Sequence, residues 1–116
     1  MDGRPDTLES AVSALGALAQ AHRLSVFREL VEAGSSGLAA GALADRLAVP
    51  RSSLSFHLSN LKQTGLIAER RAGRSIIYTA NFARMRALVA FLLHNCCAGD
   101  AAAGKLVEQF EAGDLA

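Results

Sequence analysis

Two adjacent cysteines, three histidines and a run of serines beside arginines are the side chains of this 116-residue sequence whose chemistry can be read from type and spacing. Cys96-Cys97 offers two thiolates, soft ligands that select thiophilic ions. Trivalent arsenic or antimony is satisfied by two or three sulfurs, whereas tetrahedral zinc wants four donors. His94 and Asp100 could extend the pair to an N/O/S set, but the spacing H-x-C-C-x-x-D matches no standard zinc site. Free cysteine also packs as a small hydrophobe, and Cys96 continues an apolar helical stripe. Cys97, about 100° further round a helix, does not. His22, His57 and His94 lie far apart with no acid or nucleophile pattern beside them, and no glycine motif cradles phosphate, so no enzyme is expected.

The second chemical signal runs from Arg51 to Ala80. Leu54, Leu58 and Leu61 recur at i, i+4 and i+7, the apolar stripe of a helix. Ser52, Phe56, Ser59 and Gln63 then point the opposite way, with Ser53, Ser55 and Asn60 on the flanks. This face is polar but almost uncharged, and short hydroxyl and amide groups can approach base edges and phosphates closely in a major groove. His57 falls on the flank near the leucine stripe, where it is expected to fix the helix by a hydrogen bond or to meet a phosphate. Ile67 to Arg71 and Ser75 to Thr79 read as two strands turned at Ala72-Gly73, with Arg70, Arg71 and Arg74 at the tip. A basic hairpin directly after a polar helix is the pattern of a winged helix-turn-helix, helix in the major groove and arginines on phosphates or the adjacent minor groove. The plainer alternative is a small α+β domain with a solvated charged turn.

The segment LSFHLSNLKQTGLIAERRAGRSIIYTA resembles the recognition helix and wing of the arsenic-responsive ArsR/SmtB repressor family. Ser55, His57, Leu58, Leu61, Gly65, Leu66, Ile67, Gly73, Arg74 and Tyr78 fall on the family pattern, and Phe56 departs from it where many members carry a polar or basic residue. LAQAHRLSVFREL resembles the family's second helix, and the likeness covers roughly Leu15 to Cys97. It implies a mainly α fold with a β-hairpin wing, dimerised through the first and last helices. It also implies an inverted-repeat operator contacted by Ser52, Ser53, Ser55, Phe56, His57, Ser59, Asn60, Gln63, Arg70, Arg71 and Arg74. The third-helix segment LAAGALADRL lacks the cysteines of the founding arsenic repressors, and the last helix lacks the family's spaced Asp/His zinc motif. What remains resembles the arsenic-sensing branch with a cysteine pair at the end of the last long helix, making Cys96 and Cys97 the metalloid ligands. Alanines 101–103 stand where that branch often has a third cysteine, so a methylated trivalent arsenical, which needs two sulfurs, fits better than inorganic arsenite.

The elements that must position these groups follow from length and periodicity. The chain is expected to form one domain over residues 1–116. Of its twelve Lys/Arg, seven lie between Arg51 and Arg86 together with one of eleven acids, so the half assigned to DNA is basic although the whole carries +1. The longest apolar run, Ala87 to Leu93, is too short to span a bilayer and no leader pattern precedes the first helix, so the protein is expected to be cytoplasmic. Asp6 or Thr7 can cap a helix to about Ala19 with Leu8, Val12, Leu15 and Ala19 in a stripe. Ala21 to Ala33 is a second helix, with Leu24, Phe27, Leu30 and Val31 inward. Ala40 to Leu47 is a third, with Leu43 and Leu47 inward, and Val49-Pro50 is the turn before the recognition helix, giving a helix-turn-helix over residues 40–64 and a wing over 66–80. Asn81 can cap the last long helix, to about Cys97, whose Phe82, Met85, Val89, Leu92 and Cys96 follow a 3-4 spacing suited to pairing with its copy. A tail occupies residues 98–116. Two alternatives stay open: a repressor whose thiols act as a redox switch, and a winged-helix protein-interaction module without DNA binding.

Overall fold

The computed structural model describes residues 7–94 together with Lys105, Glu108 and Gln109. Thr7 opens the first helix, α1 (Leu8–Leu18), by accepting a hydrogen bond at Oγ1 from the Ser10 N–H at 3.1 Å. Gln20 does the same for α2 (Ala21–Ala33), its Oε1 accepting from the Arg23 N–H at 2.8 Å. A single 3-10 turn, Gly34–Ser36, leads into β1 (Leu38–Ala39), which the spacing of apolar residues does not reveal. α3 (Ala40–Leu47) follows, then α4 (Arg51–Gln63), β2 (Ile67–Ala72), β3 (Ser75–Ala80) and α5 (Phe82–Leu93). The three strands form an antiparallel sheet in the order β1-β3-β2, with Leu38 opposite Tyr78 and Ile67 opposite Ala80.

Leu54, Leu58 and Leu61 of α4 are buried as their spacing requires, and they share a core with Val26, Leu30, Leu43 and Leu66. Two expectations change. In α1 the stripe Leu8, Val12 and Leu15 lies on the solvent side, at 68%, 61% and 42% exposure, while Ala11, Ala14 and Ala17 face the core. Methyl side chains let α1 approach α2 and α4 closely, so the small face and not the large one packs inward. In α2, Val26 is fully buried and Leu24 is exposed, because Val26, Leu30 and Phe27 fill the centre of the inward arc and Leu24 falls at its edge. The last helix is described from Phe82 to Leu93 with His94 as its cap; the end expected near Cys97, with Cys96, Cys97 and the tail segment, lies outside the described residues except for the three already named. Among the described residues no helix is long and apolar enough to cross a membrane.

Candidate nucleic-acid interface

The turn between α3 and α4 sets the recognition helix in place. Ala48 adopts the left-handed conformation with φ 53°, the one such non-glycine among the described residues, and its N–H caps α3 at the Ala44 carbonyl. Pro50 then starts α4 with its fixed φ of −57°. Because the three leucines are held in the core, the opposite face of α4 is turned outward: Ser52, Ser53, Ser55, Phe56, Ser59 and Gln63 are all exposed. Asn60 is half-buried, and its Oδ1 has no hydrogen-bond partner among the described residues.

His57 lies beside the leucine stripe, buried deeper than a flank position implies. It is 9% exposed, its ring meets His22 of α2 edge to face at 5.6 Å, and its Nδ1 is buried without a hydrogen-bond partner among the described residues. Burial first, then the neighbouring His22 and Arg23, hold its pKa below the ordinary 6.5. Arg23 is itself fixed by Nε donating to the Ala17 carbonyl at 2.7 Å, which ties the end of α1 to the start of α2 beside this imidazole pair. The phenyl of Phe56 meets His57 edge on at 6.2 Å, and Ser52, Ser53, Phe56 and His57 line a shallow cleft of about 310 Å³.

The wing pairs one residue beyond each expected strand end. Ala72 faces Ser75, so the loop is Gly73-Arg74, and Gly73 at φ 62° supplies the positive φ that a type II′ hairpin needs at its first central position. The three arginines are exposed but not equivalent. Arg74 sits at the loop. Arg71 and Arg70, being adjacent on β2, project from opposite faces, and Arg70 Nη2 donates to the Ser36 carbonyl at 3.3 Å. Arg70 therefore braces the wing against the turn after α2. On the other face, Lys62 of α4 forms an ion pair with Glu69 of β2, linking recognition helix to wing. Burial and then Glu69 raise the pKa of Tyr78, which lies opposite Glu69 in the sheet.

Behind the interface, Arg84 has no counterpart among the residues singled out from spacing. It is 8% exposed; its Nε donates to the Thr64 carbonyl at 3.3 Å, and its Nη2 donates to the Ser10 carbonyl and Oγ, both at 2.9 Å. One side chain on α5 thus joins the end of α4 to α1. Gly65, in the positive-φ region at 80°, and Asn81, whose Nδ2 donates to the Gly65 carbonyl at 3.0 Å, complete this junction. The arginine adds a bridge between three helices to the local cap of α4, where Thr64 Oγ1 donates to the Leu61 carbonyl at 3.0 Å.

A polar helix presented by a short turn, with a braced basic hairpin beside it, defines a winged helix-turn-helix protein. Comparison with known proteins narrows the class. A helix-turn-helix domain model matches residues 18–70. The chain is 31% identical over 87 residues to the transcriptional activator HlyU of Vibrio cholerae serotype O1, spanning 75% of this chain and 78% of that protein. It superimposes on an ArsR-like transcriptional regulator from Rhodococcus sp. RHA1 with a TM-score of 0.66 and 25% identity, over 92% of each chain. It also superimposes, with a TM-score of 0.60 and 25% identity, on a homodimeric winged helix-turn-helix DNA-binding domain from Mycobacterium bovis, described as a possible ArsR-family transcriptional regulator; 94% of this chain and 95% of that one are covered. The chain belongs to the ArsR/SmtB family of DNA-binding transcriptional regulators.

Proposed function

We propose that the protein is a homodimeric repressor that holds an inverted-repeat operator when empty and releases it when Cys96 and Cys97 capture trivalent arsenic or antimony. The observation that carries the DNA half is the exposed, uncharged hydroxyl face of α4, followed in the chain by a wing whose Arg71 and Arg74 are exposed. The inducer half is supported by the cysteine pair itself, which follows the end of α5 in the chain. Capture is a ligand exchange without change of oxidation state: each thiol gives up its proton as a sulfur–arsenic bond forms, and each displaced hydroxide leaves as water. Two sulfurs satisfy a methylated arsenical, and this is the preferred inducer class.

Release requires that an event after α5 reach α4, and Arg84 is the mechanical link. Its hydrogen bonds to Thr64 and Ser10 make the seating of α4 depend on how α5 lies against α1. A ligand that prefers the released arrangement by about 3 kcal/mol lowers DNA affinity by roughly two orders of magnitude. HlyU carries the description of an activator, and a DNA-binding module of this kind serves either sign according to where its operator lies. The test is a titration of methylarsenite, arsenite and zinc into the protein–operator complex, read by fluorescence anisotropy. Wild type should release with the arsenicals and not with zinc, while Cys96→Ser and Cys97→Ser bind DNA normally and stay bound. Release of the double variant at wild-type concentrations would remove the cysteine pair as the site.

A further inference from the structure

We infer that the cleft at Phe56 reads the C5-methyl group of a thymine in each operator half-site, which makes Phe56 a specificity-determining residue. The inference rests on the DNA-binding reading above and adds the identity of a base. Single exposed hydrophobic residues are ordinary on protein surfaces, so exposure alone decides nothing. Three further features decide it. First, the phenyl, 68% exposed, stands in the middle of the face that α4 turns outward, between Ser52 and Ser53 on one side and Ser59 on the other. Second, it is backed by a buried ring: His57 meets it at 6.2 Å and 74° and is itself seated against His22, so the phenyl has an aromatic support on one side. Third, that phenyl and two serines line the shallow cleft of about 310 Å³, an apolar side next to hydroxyl donors.

In the major groove the thymine methyl is the apolar feature of the base edges, and the O4 acceptor lies beside it. A phenyl wall adjoining a serine hydroxyl is complementary to that pair of features. Guanine would instead call for a bidentate Arg or Lys. The basic residues of α4 are Arg51 at its first position and Lys62 near its end, and Lys62 is engaged by Glu69, so neither stands at the centre of the face. The interior of the helix is therefore built to read methyl and carbonyl groups by contact and hydroxyl donation.

The experiment removes only the methyl. A duplex selected by the protein from a random pool is resynthesised with deoxyuridine in place of one thymine at a time, and affinity is measured for wild type, Phe56→Leu and Phe56→Ala. Losing one buried methyl contact should weaken wild-type binding about four- to tenfold at a symmetric pair of positions, one per half-site. Phe56→Leu should keep part of that discrimination, and Phe56→Ala should bind the thymine and uracil duplexes alike. Circular dichroism and thermal melting check that both variants fold, as expected for an exposed position. Equal wild-type affinity for every uracil-substituted duplex, or undiminished discrimination in Phe56→Ala, overturns the inference while leaving DNA binding intact. Failure of wild type to select any duplex overturns the DNA-binding reading and this inference with it.

Discussion

At His57 the chain places an imidazole where it gains no hydrogen bond at Nδ1 from the described residues and faces a second imidazole and a guanidinium, those of His22 and Arg23. Each of these conditions disfavours the charged ring. The folded-state pKa is therefore below 6.5, while the unfolded chain titrates near that ordinary value. Above 6.5 both states are neutral and the full stability is present. As pH falls through 6.5 toward the lowered value, the unfolded state takes up a proton that the folded state refuses, and stability declines; below the folded value the loss is complete. We expect urea unfolding to show wild type losing stability between neutral and mildly acidic pH more steeply than His57→Gln. Parallel pH dependences in the two proteins would mean that His57 does not carry the effect. The spacing of Leu54, Leu58 and Leu61 correctly puts His57 next to the apolar stripe. What spacing cannot supply is the identity of the neighbour, because His22 comes from another helix.

The wing shows how far pattern reading reaches along an element. Alternating residues around a Gly mark two strands and their turn; the structure extends β2 to Ala72 because Gly73 and Arg74, not Ala72 and Gly73, occupy the loop, and it carries β3 to Ala80, which pairs with Ile67 at the far end. Pairing with β1 leaves no comparable trace: two residues are too few to alternate, and their partners Tyr78 and Ile77 lie far along the chain. Arg84 is hidden for the same reason, since its bonds to Ser10 cross 74 positions. In α1 the alanines that face the core carry a weak hydrophobic signal beside the louder leucines that do not. For the arginines, the distinction between a brace and a phosphate contact also depends on a distant group, the Ser36 carbonyl. We expect Arg71→Ala and Arg74→Ala each to weaken binding to all duplexes and to reduce the salt dependence by about one unit per lost phosphate contact. Arg70→Ala should instead loosen the wing, lowering thermal stability with a smaller change in salt slope. Measured slopes that drop equally for all three would keep Arg70 in the phosphate-binding set.

The described residues leave an apolar surface that their own core does not use. Leu8, Val12 and Leu15 of α1 are exposed, and so are Phe82 and Leu92 of α5, a helix that packs against α1. The core behind α1 is made by Ala11, Ala14 and Ala17, so the outer residues can be changed without opening a cavity. Pairing of this surface with its two-fold copy would withdraw large side chains from water, each contributing up to about 1.5–3 kcal/mol. It would also carry two α4 helices at the fixed separation that an inverted repeat requires. Placing charges at the centre of the surface, in Val12→Glu combined with Leu15→Glu, should give a folded monomer by sedimentation equilibrium with an unchanged helical circular dichroism spectrum. The monomer loses the gain from linked half-sites, so its affinity for a full operator should fall by about 10²–10⁴-fold, toward that of wild type for a single half-site. A double variant that sediments as a dimer, or that binds the full operator as tightly as wild type does, would show that the subunits meet through some other face.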